Sequence, residues 1–329
     1  MRSKVSVNGP IIVTGAAGFI GRAVSERLLA RGETVIGVDI FNDYYDPALK
    51  EARAQTLAGQ PGFTMVRLDI ADAQAMADLV KTSGAKRMVH LAAQAGVRYS
   101  IENPFAYLHS NLTGHLSVLE ACRHAPGFEH LVYASSSSVY GDRSATGAFS
   151  EDDAVEAPKS LYAATKRADE LMSACYADLY GIPQSGLRFF TVYGPWGRPD
   201  MAYFSFTRKI LAGEPIEVFG NGAMSRDFTF IDDIVDGIIG VLDRPPEGKR
   251  PRVLNIGDNR PVGLMTMIAT LEAALGREAV KIMKPMQPGD VTATYADITK
   301  LHALTGYAPQ TPLAQGLPRF VAWYRGFYG

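Results

Sequence analysis

Gly15, Gly18 and Gly21 stand between an apolar run, Ile11 to Thr14, and a helical stretch at 20–30 in which Ile20, Val24 and Leu28 recur at i, i+4 and i+8. Each glycine meets a physical need. Gly15 permits a tight strand-to-helix turn, Gly18 lets the backbone approach a pyrophosphate, and Gly21 lets helix and strand pack closely. The free N–H groups of the helix N-terminus then face the phosphates. The spacing departs from the commonest dinucleotide fingerprint, which has one and then two residues between glycines. Further β-rich runs at 34–38, 63–68, 87–91 and 130–134 alternate with helical stretches at 75–81 and 106–123, the latter with Leu112, Leu116 and Leu119 on one face. Such alternation with short connections predicts right-handed βαβ units and a parallel sheet. The expected fold class is α/β: a Rossmann-type doubly wound parallel sheet with a smaller C-terminal α/β substrate-binding subdomain.

The 329 residues suffice for about two domains at roughly 150 residues each. Pro and Gly gather at Gly194, Pro195, Gly197 and Pro199, where the simple alternation breaks, and again at Pro285, Pro288 and Gly289. A helix at 204–211 and strands at 216–219 and 227–231 follow, and 235–242 and 253–256 read as further α/β layers. The expected division is a dinucleotide-binding domain at 1–187, with 228–256 returning to it, and a second subdomain at 188–227 and 257–329. Hydrophobic residues make up 47% and charged residues 20% of the chain, which excludes a disordered or collagenous class. Lys plus Arg number 33 against 34 for Asp plus Glu, so nothing in the charge balance argues for nucleic acid or an anionic membrane. The short basic cluster at 249–252 sits beside prolines and reads as a solvated loop. Cys122 and Cys175 form neither a disulfide framework nor a metal set, and the histidines have no ligand spacing. No apolar run approaches the ~20 residues of a membrane helix, and residues 1–10 have no secretory h-region. The expectation is a cytoplasmic chain without metal, nucleic-acid partner or membrane span.

Four further groups carry chemistry. Asp39 ends the second strand about 20 residues beyond the glycines, where a carboxylate can accept a ribose hydroxyl and repel a 2′-phosphate, favouring NAD over NADP. Asp69 ends the third strand and suits either an adenine contact or a helix N-cap. Tyr162 and Lys166, four apart, share a helix face. A tyrosine of pKa about 10 is a poor base, but a neighbouring ammonium favours its phenolate. The run Ser135–Ser138 closes the fifth strand, at the sheet edge where open α/β sheets bind ligands; each serine alone also suits a polar turn.

Together, Thr14-Gly15-Ala-Ala-Gly18-Phe19-Ile20-Gly21, His90-Leu-Ala-Ala93, Asn111, the serine strand, Tyr162/Lys166, Arg188-Phe-Phe-Thr-Val-Tyr-Gly194-Pro195 and Arg226-Asp-Phe-Thr-Phe-Ile-Asp-Asp233 resemble the extended short-chain dehydrogenase/reductase family over nearly the whole chain. Within it the chain is similar to nucleotide-sugar 4-epimerases. The stretches Phe41-Asn-Asp-Tyr-Tyr-Asp-Pro47 and 188–202 point to those acting on a UDP-uronate. The resemblance implies an NAD site of Gly15, Gly18, Phe19, Ile20, Gly21, Asp39, Asp69, Ile70, Leu91, Ala92, Ala93, Asn111 and Phe189. Tyr162 would be the base. Lys166 would hold the nicotinamide ribose and lower the pKa of Tyr162, with Ser136 assisting. Arg98, Ser137, Ser138, Thr191, Arg198, Phe219, Arg226 and Asp290 would bind the UDP-sugar. Two positions depart from the family pattern: Ile40 stands where many relatives have Asn, and Gln287 where glucose-type epimerases have Arg.

The activity so implied is 4-epimerisation of UDP-glucuronate to UDP-galacturonate through a 4-keto sugar, by a homodimer pairing helices 106–123 and 162–180. The alternatives are a UDP-glucose 4-epimerase, which usually has Asn at the position of Thr191, and a 4,6-dehydratase or UDP-glucuronate decarboxylase. Those last have acids where Ser137 and Ser138 stand. A catalytically silent nucleotide-sensing protein is a more distant alternative.

Overall fold

The computed structural model describes residues 9–141, 147–248, 251–286 and 293–329. The first half alternates strand and helix: β1 (Ile11–Thr14), α1 (Phe19–Ala30), β2 (Val35–Asp39), α2 (Pro47–Leu57), β3 (Phe63–Arg67), α3 (Ala73–Ser83) and β4 (Arg87–His90). Next come the short α4 (Tyr99–Glu102) and α5 (Pro104–Tyr107), a π-helical segment (Leu108–Thr113), α6 (Gly114–Arg123), β5 (His130–Ser136), α7 (Leu161–Tyr180) and β6 (Gln184–Phe189). These strands, with β10 (Arg252–Ile256), form one parallel sheet in the order β10-β6-β5-β4-β1-β2-β3. The order reverses between β1 and β4, so the carboxyl ends of those two strands open a crevice.

Strand periodicity divides the core. Ile11, Val13, Val35, Val89, Val132 and Leu187 face one side, with Val24 and Leu28 of α1. Ile12, Val38, Met88, Leu131 and Tyr133 face the other, with Met76 and Val80 of α3 and Val118 and Leu119 of α6. Burial on both faces is what a parallel sheet requires.

The remaining elements follow, most of them building the second lobe. They are β7 (Thr191–Tyr193), α8 (Ala202–Ala212), β8 (Ile216–Val218), β9 (Ser225–Phe230), α9 (Ile231–Leu242), β11 (Pro261–Gly263), α10 (Leu264–Leu275), β12 (Lys281–Met283), β13 (Ala293–Thr294), α11 (Thr299–Thr305) and α12 (Leu313–Tyr328). A small sheet runs β11-β9-β13 with β7 beside β9, and β8 pairs with β12. α9 and β10 return to the large sheet, α9 packing on α1 and β5. β6 stays in the large sheet to Phe189, two residues past the boundary expected at 187. The strand expected at 227–231 spans Ser225–Phe230, and Ile231 already opens α9.

The expected single helix at 106–123 is broken by the π segment. Its extra residue per turn swings Asn111 inward, a device with no hydrophobic signature. Residues 1–8, Lys249, Arg250, Gln287 and Asp290 lie outside the described residues. Among the described residues no helix is long and apolar enough to cross a membrane, and no cluster of His, Cys, Asp or Glu could hold a metal.

One buried ion pair ties α7 to the sheet. Arg188 of β6 donates from Nε and Nη2 to the two carboxylate oxygens of Glu170, at 2.8 and 2.9 Å, and Ser135 of β5 donates to the same carboxylate at 2.6 Å. Burial opposes the charge of Glu170, but Arg188 prevails and holds its carboxyl below the usual range. Removing one member leaves the other charged and dry. Glu170→Ala should therefore lower the unfolding free energy by about 3–5 kcal/mol in urea titration, and Glu170→Gln by less.

Candidate active site

A cleft of about 860 Å³ opens where β1 and β4 diverge. It lies near the upper end of the roughly 300–1,000 Å³ range of small-molecule sites.

On one side is the β1–α1 turn. Gly15 has φ +72°, and a Cβ there would stand 2.9 Å from the Ala92 nitrogen; one on Gly21 would stand 2.1 Å from the Gly15 carbonyl oxygen. The turn exists only with glycine at both places. α1 begins at Gly18 with no side-chain cap and no acidic residue in its first turn, so its N-terminal N–H groups are left for an anion. Asp39 Oδ2 accepts from Ala17 N–H (3.0 Å) and Oδ1 from Phe41 N–H (2.8 Å), which fixes the carboxylate at the cleft with lone pairs to spare. Phe41 is thereby held in the left-handed region at φ +56°, under the Arg67 guanidinium 3.9 Å above its ring. This non-glycine strain sits beside the Asp39 carboxylate at the cleft. Asp69 Oδ1 accepts from Ala71 N–H and Oδ2 meets His109 Nε2 at 2.7 Å, while the α3 cap is Asp72 rather than Asp69. Phe19, Ile20, Ile70, Leu91, Ala92, Ala93 and Phe189 line the same side. Ile40 also lines it, half exposed, with only an apolar surface to offer.

Asn111 does not line the cleft. Its Oδ1 accepts from Gln94 N–H (2.8 Å), and its Nδ2 donates to the Gln94 carbonyl (3.1 Å) and to Thr165 Oγ1 (2.9 Å). It clamps the loop after β4 to α7 and so acts on the site through its frame.

α7 enters the cleft with Ser160 as N-cap, accepting from Ala163 N–H at 3.1 Å. Tyr162, in the first turn, and Lys166, in the second, both line the cleft, and the Tyr107 ring stands edge-on to Tyr162 at 6.0 Å. Lys166 Nζ donates to the Ala134 carbonyl at 2.9 Å and to Asp169 at 3.0 Å. On the facing strand, Ser136 Oγ accepts from both Ser138 N–H (3.2 Å) and Ser138 Oγ–H (2.9 Å). Its acceptor positions are thus filled and its own proton is free to be donated. Ser137, Ser138 and Thr191 complete a hydroxyl-rich wall without a carboxylate.

Arg198 reaches the cleft already paired. It donates to both oxygens of Asp200, and Tyr44 O–H donates to Asp200 at 3.2 Å. Burial works against the Asp200 charge, yet Arg198 holds its carboxyl below the usual range. Arg98, from the loop between β4 and α4, stacks 5.3 Å over Phe219 of the second lobe, where Arg226 donates to its neighbour's carbonyl. Both arginines face the cleft, and Lys209 adds a third cation there. A strap crosses from the first lobe: buried Arg53 donates to the carbonyls of Trp196 and Gly197 at 2.7 and 2.8 Å.

The structure thus brings together every site residue expected from the sequence except Asn111, one shell back, and Asp290, outside the described residues. The sequence reading missed Tyr44, Asp200, Lys209 and Asp169. The first two lie in the stretches 41–47 and 188–202, where the pattern is noted but neither of these two side chains is given a role.

Residues 11–257 match the family described as NAD dependent epimerase/dehydratase. The chain is 48% identical to UDP-glucuronate 4-epimerase 3 of Arabidopsis thaliana, over 97% of this chain and 77% of that one. UDP-glucuronic acid 4-epimerase from Bacillus cereus, solved with UDP-glucuronic acid and NAD, superposes with a TM-score of 0.90. It is 35% identical, and 97% of this chain covers 100% of that one. A UDP-glucose 4-epimerase from Thermotoga maritima, solved with UDP-glucose, is more distant in sequence at 28% identity. Its TM-score is 0.87, with 97% of this chain covering 100% of that one.

The fixed carboxylate of Asp39 generates a cofactor test. NAD should bind at least tenfold more tightly than NADP by calorimetry, because a 2′-phosphate would meet that carboxylate. Equal affinities would show that Asp39 does not read the ribose.

Proposed function

The chain belongs to the NAD dependent epimerase/dehydratase family, and on that footing we propose that it inverts C4 of UDP-glucuronate to give UDP-galacturonate. The observation that carries this is the wall facing Tyr162. Ser136, Ser137, Ser138 and Thr191 present hydroxyls and no carboxylate. A uronate brings its own negative charge to the sugar pocket, and an Asp or Glu on this wall would repel it. Hydroxyls can hold it instead. A dehydratase or decarboxylase of this family would need an acid at Ser137 or Ser138.

The glycine turn, the uncapped α1 N-terminus and Asp39 fit a dinucleotide. NAD bound there supplies a two-electron acceptor for the C4 hydrogen and a donor when it returns to the opposite face. Tyr162 takes the proton from the 4-hydroxyl and gives it back after the sugar has turned. The Lys166 ammonium favours the phenolate in the first half, and Ser136 keeps its proton and donates a hydrogen bond to the C4 oxygen. One group acts as base and then acid, which a pKa near the working pH serves best. The intermediate is a β-keto acid prone to lose carbon dioxide. The pocket must therefore keep the carboxylate bond out of line with the ketone π system. In this reading Arg198, Ser137, Ser138 and Thr191 perform that task, and Arg98, Phe219 and Arg226 hold the UDP moiety; all seven line the cleft.

We read the chain as a homodimer. Leu171, Cys175 and Leu179 make an exposed stripe at i, i+4 and i+8 on α7. Leu108 and Leu116 are exposed beside it, and Ile101 and Phe105 are more than three-quarters exposed on α4 and α5. A second copy using the same patch would cover both stripes, as two-fold symmetry demands. The two free thiols accord with a reducing, cytoplasmic setting.

Proton NMR of UDP-glucuronate incubated with the purified protein should show conversion to the 4-epimer. Tyr162→Phe should keep NAD and lose on the order of 10²–10⁴-fold in turnover. Faster epimerisation of UDP-glucose than of UDP-glucuronate would overturn the uronate assignment. Arg198→Ala should raise KM for UDP-glucuronate and divert part of the turnover to decarboxylated pentose products, read in the same spectra. An unchanged KM and product ratio would leave Arg198 as a partner of Asp200 alone.

A further inference from the structure

The Lys166 ammonium has three N–H bonds to place. One goes to the Ala134 carbonyl and one to Asp169 Oδ2. The third remains for the cleft that Lys166 lines beside Tyr162. Asp169 is fully buried, and its second oxygen, Oδ1, has no hydrogen-bond partner among the described residues. Leaving a buried carboxylate oxygen without a donor is costly, and the neighbouring Glu170 already supplies the anchor between helix and sheet. Asp169 is thus a buried charge directed at one group, the Lys166 ammonium.

We propose that Asp169 is a positioning residue for the reaction: it aims Lys166 and offsets its charge, and so sets the pH at which Tyr162 becomes a phenolate. The proposal rests on Tyr162 being the base of the epimerisation described above.

The surrounding groups leave this pair dominant. From α6, His115 meets Ser173 Oγ at 2.9 Å, and His90 of β4 stacks on it at 5.3 Å. Burial and the nearby Lys166 hold both histidines neutral, with the His115 pKa pushed down to about 3. Tyr133 of β5 is kept neutral by burial. Glu170 pairs with buried Arg188 of β6 and also with Arg167 of α7, whose side chain is 31% exposed to solvent. On the outer side of Tyr162, Arg198 is matched by Asp200, and Tyr107 and Tyr44 are kept neutral by burial. Burial raises Asp169 to about 6, with Lys166 opposing the rise. As pH falls through that value Asp169 takes up a proton, and the charge of Lys166 is no longer offset.

Asp169→Asn keeps the shape and an acceptor for Lys166 and removes the charge. In the NAD-loaded protein, ultraviolet absorbance titration reports phenolate formation, and the step belonging to Tyr162 is the one that disappears in Tyr162→Phe. With the Lys166 charge no longer offset, that step should move down by roughly one pH unit in Asp169→Asn, and the acid limb of kcat/KM should move with it. Asp169→Ala should shift the step in the same direction, and thermal unfolding and NAD affinity show whether each variant is folded. A step that stays in place or moves upward in a folded, NAD-binding variant overturns the proposal. The titration contains no substrate. A downward shift in a protein that fails to epimerise UDP-glucuronate would therefore uphold the role of Asp169 and count against the substrate reading alone.

Discussion

The seam between β1 and β4 holds the site in place. Thr14 Oγ1 meets His90 Nδ1 at 2.7 Å and accepts from Leu91 and Ala92 N–H at 3.2 and 3.1 Å. One hydroxyl thus binds the exits of both strands where their connections turn to opposite faces of the sheet. Gly15 then passes against Ala92 at a distance that no side chain would allow. The cofactor turn and the loop 91–97 are fixed relative to each other before any ligand arrives. Asn111, clamped to Gln94 and Thr165, extends the same frame to α7. Preorganisation of this kind matters most in a reaction whose intermediate must turn over inside the pocket while the reacting groups stay still.

α7 carries its chemistry on a bed of buried charge. Ser160 fixes its start, Lys166 reaches the carbonyl of β5, and Glu170 is held by Arg188 of β6. Successive turns of one helix thereby meet two adjacent strands through polar contacts. Such contacts specify the rotation of a helix about its axis more strictly than apolar packing does, because each has a direction. Tyr162 inherits that rotation.

Much of this was legible in the residues. The three glycines located β1, α1 and their turn, strand spacing located β2 to β5, and the Tyr–Lys interval placed both side chains on the face that lines the cleft. What was hidden had no periodic trace. The π segment consists of residues that would equally suit an α-helix, and only the partner loop at Gln94 reveals why Asn111 turns inward. Asp169 lies between Lys166 and Glu170 like one more polar residue of a solvated face; its burial follows from the packing of α7 on β5 and α6. In the second lobe β7 and β9 pair across more than 30 residues of intervening chain. The partner of each strand could not be read locally, and the limits expected at 187 and 227 fall within β6 and β9.

The bonds from Arg53 to Trp196 and Gly197, and from Tyr44 to Asp200, join the two lobes across the side of the cleft where Asp39 lies. A dehydrogenase must exchange its nicotinamide after every cycle, and its speed is capped by how fast that exchange occurs. An isomerase that ends each cycle with the cofactor as it began has no such cap. Slow escape of the dinucleotide then costs nothing in throughput, and only the sugar nucleotide has to travel in and out. A dinucleotide-binding fold put to isomerase use can therefore be stitched shut over its cofactor, which becomes in effect a permanent fixture of the protein.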